Sequence, residues 1–159
     1  MRIEWDAKLE TGIEVIDAQH KRIVEYINDL EVAKGKGDKK LANDVIEQLI
    51  DYTQSHFGFE EAMLEDVGYK FLKPHKKVHE LFIRRITEFT LRSAKGEDIL
   101  DELQSVLSKW LLNHIANEDR DYAKVVLQAT GKNADGPAVA ESAPASAGFL
   151  SGLVKRLFH

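Results

Sequence analysis

Apolar positions in the first 130 residues recur at intervals of three and four, the spacing of one face of an α-helix. No stretch alternates convincingly as a half-buried strand does. Ile16, His20, Ile23, Ile27 and Leu30 form a first stripe, with Asp17 read as the N-cap of its helix and "KGKGD" as the stop. A second helix is predicted from Lys39 to Asp66, its stripe running through Leu41, Val45, Leu49, Tyr52, His56, Phe59 and Met63. Gly68 suits its C-terminal cap. Pro74 fits the first turn of a third helix, where a missing N–H costs nothing; its stripe is His75, Val78, His79, Phe82, Ile86 and Phe89. The fourth stripe carries Leu103, Val106, Leu107, Trp110, His114 and Val125. Four rods of roughly 20 to 30 residues with short joints predict an all-α fold, an antiparallel up-down-up-down four-helix bundle. An extended N-terminal arm, "MRIEWDAKLETGIEVI", leads into it.

The composition changes after this pattern ends. Residues 130–148, "TGKNADGPAVAESAPASAG", read as a flexible linker rich in Ala, Gly, Ser and Pro. Beyond it, "FLSGLVKRLFH" puts Phe149, Leu150, Leu153, Val154, Leu157 and Phe158 on one helical face. The expected organisation is therefore a bundle over 1–129, a linker over 130–148 and a short amphipathic helix over 149–159. A chain of 159 residues is long enough for one domain with a real core. Its net charge of −5 gives no basic footprint for nucleic acid. The absence of cysteine excludes disulfides, iron–sulfur clusters and thiolate zinc sites. Neither a signal-peptide pattern nor an apolar run of ~18 residues is present, so a cytoplasmic protein is expected.

The histidines carry the chemistry. His20, His56, His75, His79 and His114 all lie on the inward stripes, and every helix contributes at least one. A buried imidazole has two nitrogens to satisfy, and an unsatisfied buried polar group costs ~1–3 kcal/mol. Five at once, with few polar partners on the same faces, are not explained by packing alone. A metal site explains them, because neutral imidazole and carboxylate suit divalent iron, manganese or zinc. "HFGFE" places His56 and Glu60 one turn apart, and "HKKVH" does the same for His75 and His79. Five nitrogens exceed one tetrahedral zinc, and with bridging carboxylates they fit a pair of metals. The Glu-x-x-His repeat of ferritin-like sites is absent, since Asp17, Thr53, Leu72, Lys76 and Leu111 stand three residues before the histidines.

In four ordered motifs, "GIEVIDAQH", "HFGFEE", "HKKVH" and "WLLNHIANED", the chain resembles the hemerythrins, in particular the bacteriohemerythrins, over about residues 3–127. The resemblance implies a non-heme di-iron centre, two Fe ions joined by an oxo or hydroxo bridge, that binds O2 reversibly. It assigns His20 and His56 to one iron and His75, His79 and His114 to the other, with Glu60 and Asp119 bridging both. The iron with two histidines would then be one ligand short, and O2 would bind there. Asp119 comes from the resemblance and not from periodicity. It lies ~140° around an ideal helix from His114, whereas Glu118, at i+4, is the natural face-mate. A bulge or local overwinding near residues 115–118 would reconcile the two, leaving Glu118 a solvated charge.

An O2-binding role in storage, delivery or sensing is expected, and not an enzyme, although minor peroxidase-like activity is compatible with such irons. The alternative is a di-iron enzyme that reduces peroxide or nitric oxide. Ile23, Phe59 and Trp110 are candidates for an apolar wall around the site. Asp17 and Tyr122 are candidates for orienting ligands, and Trp5 for packing across the bundle. Besides O2, a membrane surface or a protein met through residues 149–159, where Lys155 and Arg156 flank the apolar face, is a candidate partner; the alternative is a tail that folds back on its own bundle or has no role. Attachment of that kind would make the protein peripheral to the membrane.

Overall fold

The structure is a computed structural model and describes residues 2–131. The amphipathic segment expected over 149–159, and the linker expected over 130–148 except for Thr130 and Gly131, lie outside the described residues. All regular structure among the described residues is helical. A short 3₁₀ turn, Ala7–Leu9, precedes α1 (Glu14–Gly35), α2 (Lys39–Asp66), α3 (Leu72–Ala94) and α4 (Leu100–His114). The fourth rod then continues through a π-helical turn, Ile115–Asp119, into α5 (Arg120–Ala129). The four rods form the expected bundle, joined by the short segments 36–38, 67–71 and 95–99. α1 packs along α2 and α4, and α2 along α3.

The ends of the rods follow from local chemistry. Gly68 takes a left-handed φ of 66°, which lets its own N–H reach the Glu65 carbonyl and the Tyr69 N–H reach the Leu64 carbonyl. That pair of bonds closes α2 as a Schellman cap. The Asp38 carboxylate accepts from the Leu41 N–H at 2.9 Å and starts the same helix.

Asp17 departs from expectation. It lies inside the first turn of α1, whose N-cap is Ile13, and its carboxylate reaches back to the arm. It accepts from the Thr11 N–H at 2.7 Å, the Thr11 hydroxyl at 2.8 Å and the Gly12 N–H at 3.1 Å. Asp17 therefore anchors the arm. Gly12 cannot be replaced cheaply, because its φ is +83° and a Cβ there would meet Leu127 at 3.4 Å. Further along the arm, the Ile3 N–H donates to Asn28 Oδ1 at 2.7 Å, and Asn28 Nδ2 donates back to the Ile3 carbonyl at 3.0 Å.

The core is two apolar clusters with a polar layer between them. One cluster holds Ile23, Ile27, Leu30, Leu49, Phe89, Leu103 and Leu107; the other holds Ile13, Ile16, Met63, Leu64, Tyr122 and Val126. Along every rod the histidines fall where one cluster gives way to the other.

The π turn corrects one sequence expectation. Val125 falls on the inward stripe of a regular helix but is 37% exposed, whereas Tyr122, Ala123, Val126 and Leu127 are buried. A π turn holds one more residue than an α turn, so everything after it moves one position along the stripe.

Candidate metal centre

Seven side chains from all four rods meet in the polar layer. His20 comes from α1, His56 and Glu60 from α2, His75 and His79 from α3, His114 from α4, and Asp119 from the end of the π turn. All seven are buried, with His20, Glu60 and Asp119 at 0% exposure. The i to i+4 pairs behave as their spacing requires, His56 beside Glu60 and His75 beside His79 on one face.

The two carboxylates divide their oxygens between two groups of imidazoles. Glu60 Oε1 lies 2.5 Å from His75 Nε2 and 3.4 Å from His79 Nε2, while its Oε2 lies 3.6 Å from His56 Nε2. Asp119 Oδ1 lies 3.1 Å from His114 Nε2 and 4.0 Å from His75 Nε2, while its Oδ2 lies 3.2 Å from His20 Nε2. Glu60 closes two compact ligand sets, one with His75, His79 and His114 and one with His20 and His56. One side thus has three imidazoles, the other has two, and both carboxylates span them.

The π turn makes this possible for Asp119. In an uninterrupted α-helix residue 119 would point away from the His114 face. The wider turn returns it to that face, fully buried. Glu118, expected to be a solvated charge once Asp119 is taken as the ligand, is instead a partner of His114. Its Oε2 accepts from His114 Nδ1 at 3.0 Å, on the outer edge of the ring.

The outer edges of two other rings are held in the same way. His56 Nδ1 donates to Gln19 Oε1 at 2.8 Å and His79 Nδ1 donates to Glu61 Oε1 at 2.9 Å. These bonds fix the tautomer, leaving Nε2 as a lone pair aimed into the layer. Gln19, Glu61 and Glu118 were not anticipated. A signal for them exists, since each is the immediate neighbour of an inward ligand-type residue: Gln19 of His20, Glu61 of Glu60, Glu118 of Asp119.

Ionisation supports the same picture. Burial pushes the His56 imidazole down to about 3, so it is neutral across the physiological range. Burial alone would raise the Glu60 carboxyl, but the His75 and His79 hydrogen bonds and nearby imidazoles hold it well below the usual range. Burial, with the nearby charges of Glu60 and Asp119, pushes Tyr122 well above the ordinary phenol value. Its O–H therefore remains a donor, and it donates to Glu60 Oε2 at 2.7 Å. Tyr122 thus orients a carboxylate, as its position suggested.

The surroundings are aromatic on one side. Trp110 stacks on His114 at 4.4 Å between centroids, and on Phe82 at 3.7 Å. Phe57, absent from the expected wall, stacks on His79 at 3.7 Å and 4°. Of the wall residues named from sequence, Ile23 and Phe59 are buried in opposite apolar clusters. Trp5 packs toward His20, their rings 6.5 Å apart.

The layer fits cations. Both Asp119 oxygens and both His20 nitrogens are buried with no hydrogen-bond partner. Two buried carboxylates without an adequate set of donors are costly unless a positive charge is shared with them. His79 Nε2 and His114 Nε2 face each other at 3.0 Å. With both Nδ1 atoms already donating outward, a ring carrying a single N–H has no proton to place between them. Adjacent nitrogen ligands on one ion, each ~2.1 Å from it, sit about this far apart. The imidazole and carboxylate set is that of divalent first-row metals.

The chain is similar to known proteins in sequence and in fold. Residues 11–126 match the family model described as the hemerythrin HHE cation binding domain. Over 122 residues the chain is 54% identical to the bacteriohemerythrin of Pseudomonas aeruginosa, covering 77% of this chain and 80% of that one. It is 30% identical over 119 residues to the myohemerythrin of Theromyzon tessulatum, covering 75% and 89% of the two. Among solved structures, wild-type hemerythrin superposes with a TM-score of 0.75 at 25% identity, covering 79% of this chain and 98% of that one.

Proposed function

The chain belongs to the hemerythrin family, and on that premise we propose that it binds O2 reversibly at a pair of iron ions. His20 and His56 would hold one iron, His75, His79 and His114 the other, and Glu60 and Asp119 would bridge them. The observation that carries this reading is the division of each carboxylate between a two-imidazole and a three-imidazole side. When bound, a ferrous pair with one open position supplies the binding position for O2 and the electrons that stabilise it there.

The chain's own residues set the conditions for reversibility. Gln19 keeps the His56 Nε2 lone pair pointed inward. Tyr122 fixes Glu60 by a hydrogen bond from a phenol that does not ionise near neutral pH. Apolar clusters on both faces of the layer keep bulk water and stray protons from the site. Tyr122, a buried acid beside the carboxylates, has its proton committed to Glu60, which supports reversible binding over turnover of peroxide or nitric oxide.

Stopped-flow absorption of the anaerobically reduced, iron-loaded protein mixed with O2 tests the proposal. A coloured adduct that forms quickly, persists, and is reversed by lowering the O2 pressure is expected. Immediate bleaching to an oxidised form with catalytic consumption of added peroxide would contradict it and favour an enzyme. None of the described helices is long and apolar enough to cross a membrane.

A further inference from the structure

Beyond the seven inward groups, the side chains that hold the outer edges of the imidazoles are unequally distributed. On the three-imidazole side, two of the three rings donate from Nδ1 to carboxylates: His79 to Glu61 at 2.9 Å and His114 to Glu118 at 3.0 Å. On the two-imidazole side, His56 donates to a neutral amide, Gln19, at 2.8 Å, and His20 Nδ1 is buried without a partner. A carboxylate that accepts Nδ1–H draws that proton outward and makes Nε2 a more basic, more strongly donating ligand; an amide does so far less. The two carboxylate side chains are 24% and 34% exposed and so meet solvent as well as the rings. Lys76 lies 3.7 Å from Glu61 and tempers one of them only.

Resting on the two-ion reading above, we propose that Glu61 and Glu118 are positioning residues that make the three-imidazole side the tighter metal position. The first divalent ion would then settle among His75, His79 and His114, and the second between His20 and His56. The inequality of the two sides is built from outside the ligand set.

Titration of the metal-free full chain with Co2+, followed by its visible d–d bands and by calorimetry, tests this. Two binding phases are expected. Glu61→Gln and Glu118→Gln keep an acceptor oxygen but remove its charge, and each should weaken the tighter phase by ~10–100-fold while moving the other much less. Gln19→Glu should tighten the weaker phase. Glu88→Gln, which alters an exposed carboxylate paired with Arg85, should move neither. A second measurement uses the iron-loaded protein. Its slower iron, extracted by an external chelator, should leave faster in Glu61→Gln and Glu118→Gln, with helicity by circular dichroism unchanged. Two Co2+ per chain with a tighter phase unmoved by either variant, or both phases weakened equally, would overturn this proposal alone. Fewer than two Co2+ in the unaltered protein would overturn the two-ion reading, and this proposal with it.

Discussion

The apolar clusters and the polar layer between them obey different rules. In the clusters, residues such as Ile27, Leu30, Phe89 and Leu103 need only be apolar, of suitable volume and on the right face. Uninterrupted helical periodicity delivers that. In the layer, individual atoms must lie within a few tenths of an ångström of set positions, and periodicity is not enough. The fourth rod inserts a π turn to bring Asp119 round, and polar groups outside the ligand set lock the rings. Burial stabilises the fold almost anywhere along a stripe, whereas a site requires departures from the stripe.

Removing a group shared by both sides of the layer should have the largest effect. Glu60→Ala takes away both spanning oxygens and the acceptor for Tyr122, so iron content should fall on both sides, by more than the ~100-fold that an outer partner costs. Metal analysis of the purified variant checks it. Chelation of the iron-loaded protein should leave the two carboxylates buried without a counter-charge. A loss of about 3–5 kcal/mol is expected, roughly 10–20 °C in Tm by calorimetry. A cluster-dominated protein would show almost no change.

The π register is tested by neighbours. Asp119→Ala should cost metal affinity more than Glu118→Ala, for which a loss of ~10–100-fold is expected. The opposite order in a metal titration would mean that the fourth rod keeps its α register. Within the second cluster, Val126→Ala should destabilise by about 2 kcal/mol, and Val125→Ala by less than about 0.5 kcal/mol, in urea unfolding. Equal effects would remove the one-position shift.

An effect smaller than that of Val126→Ala lies at the edge of that cluster. Tyr69 donates to Asp121 at 3.0 Å, and burial together with this bond pushes its phenol up to about 12. A folded pKa above the unfolded value means that the contribution is full below pH ~10 and is lost as pH rises toward about 12. Tyr69→Phe should cost about 1 kcal/mol at neutral pH and flatten that alkaline decline in unfolding curves.

Much of the fold was legible because period-3.6 stripes are redundant: misplacing one residue leaves the rod and its inward face intact. The bounds of α2 and its Gly68 cap followed from the local chemistry of "VGY" and the apolar pattern. The convergence of five histidines was legible for the same reason, since each sat on a stripe. What was missed depends on rotation about a helix or on a neighbour's identity. Asp17 has the composition of a cap but lies one turn inside the helix, where it ties down Thr11 and Gly12. Val125 leaves the inward face because the π turn shifts it off the stripe that a regular helix gives it, whereas Glu118, expected in solvent beside that turn, still reaches the outer edge of the His114 ring. Phe57 sits at the flank of its stripe, and only the path of α3 shows that it covers His79. Gln19 and Glu61 are indistinguishable in type from solvent-facing residues until the ring opposite each is known.

The most direct test of the centre is anomalous diffraction at the iron edge from crystals of the iron-loaded protein. Two peaks are expected in the layer, one beside the Nε2 atoms of His20 and His56 and one among those of His75, His79 and His114, with Glu60 and Asp119 each touching both. A single peak, or two that share no carboxylate, would contradict the account.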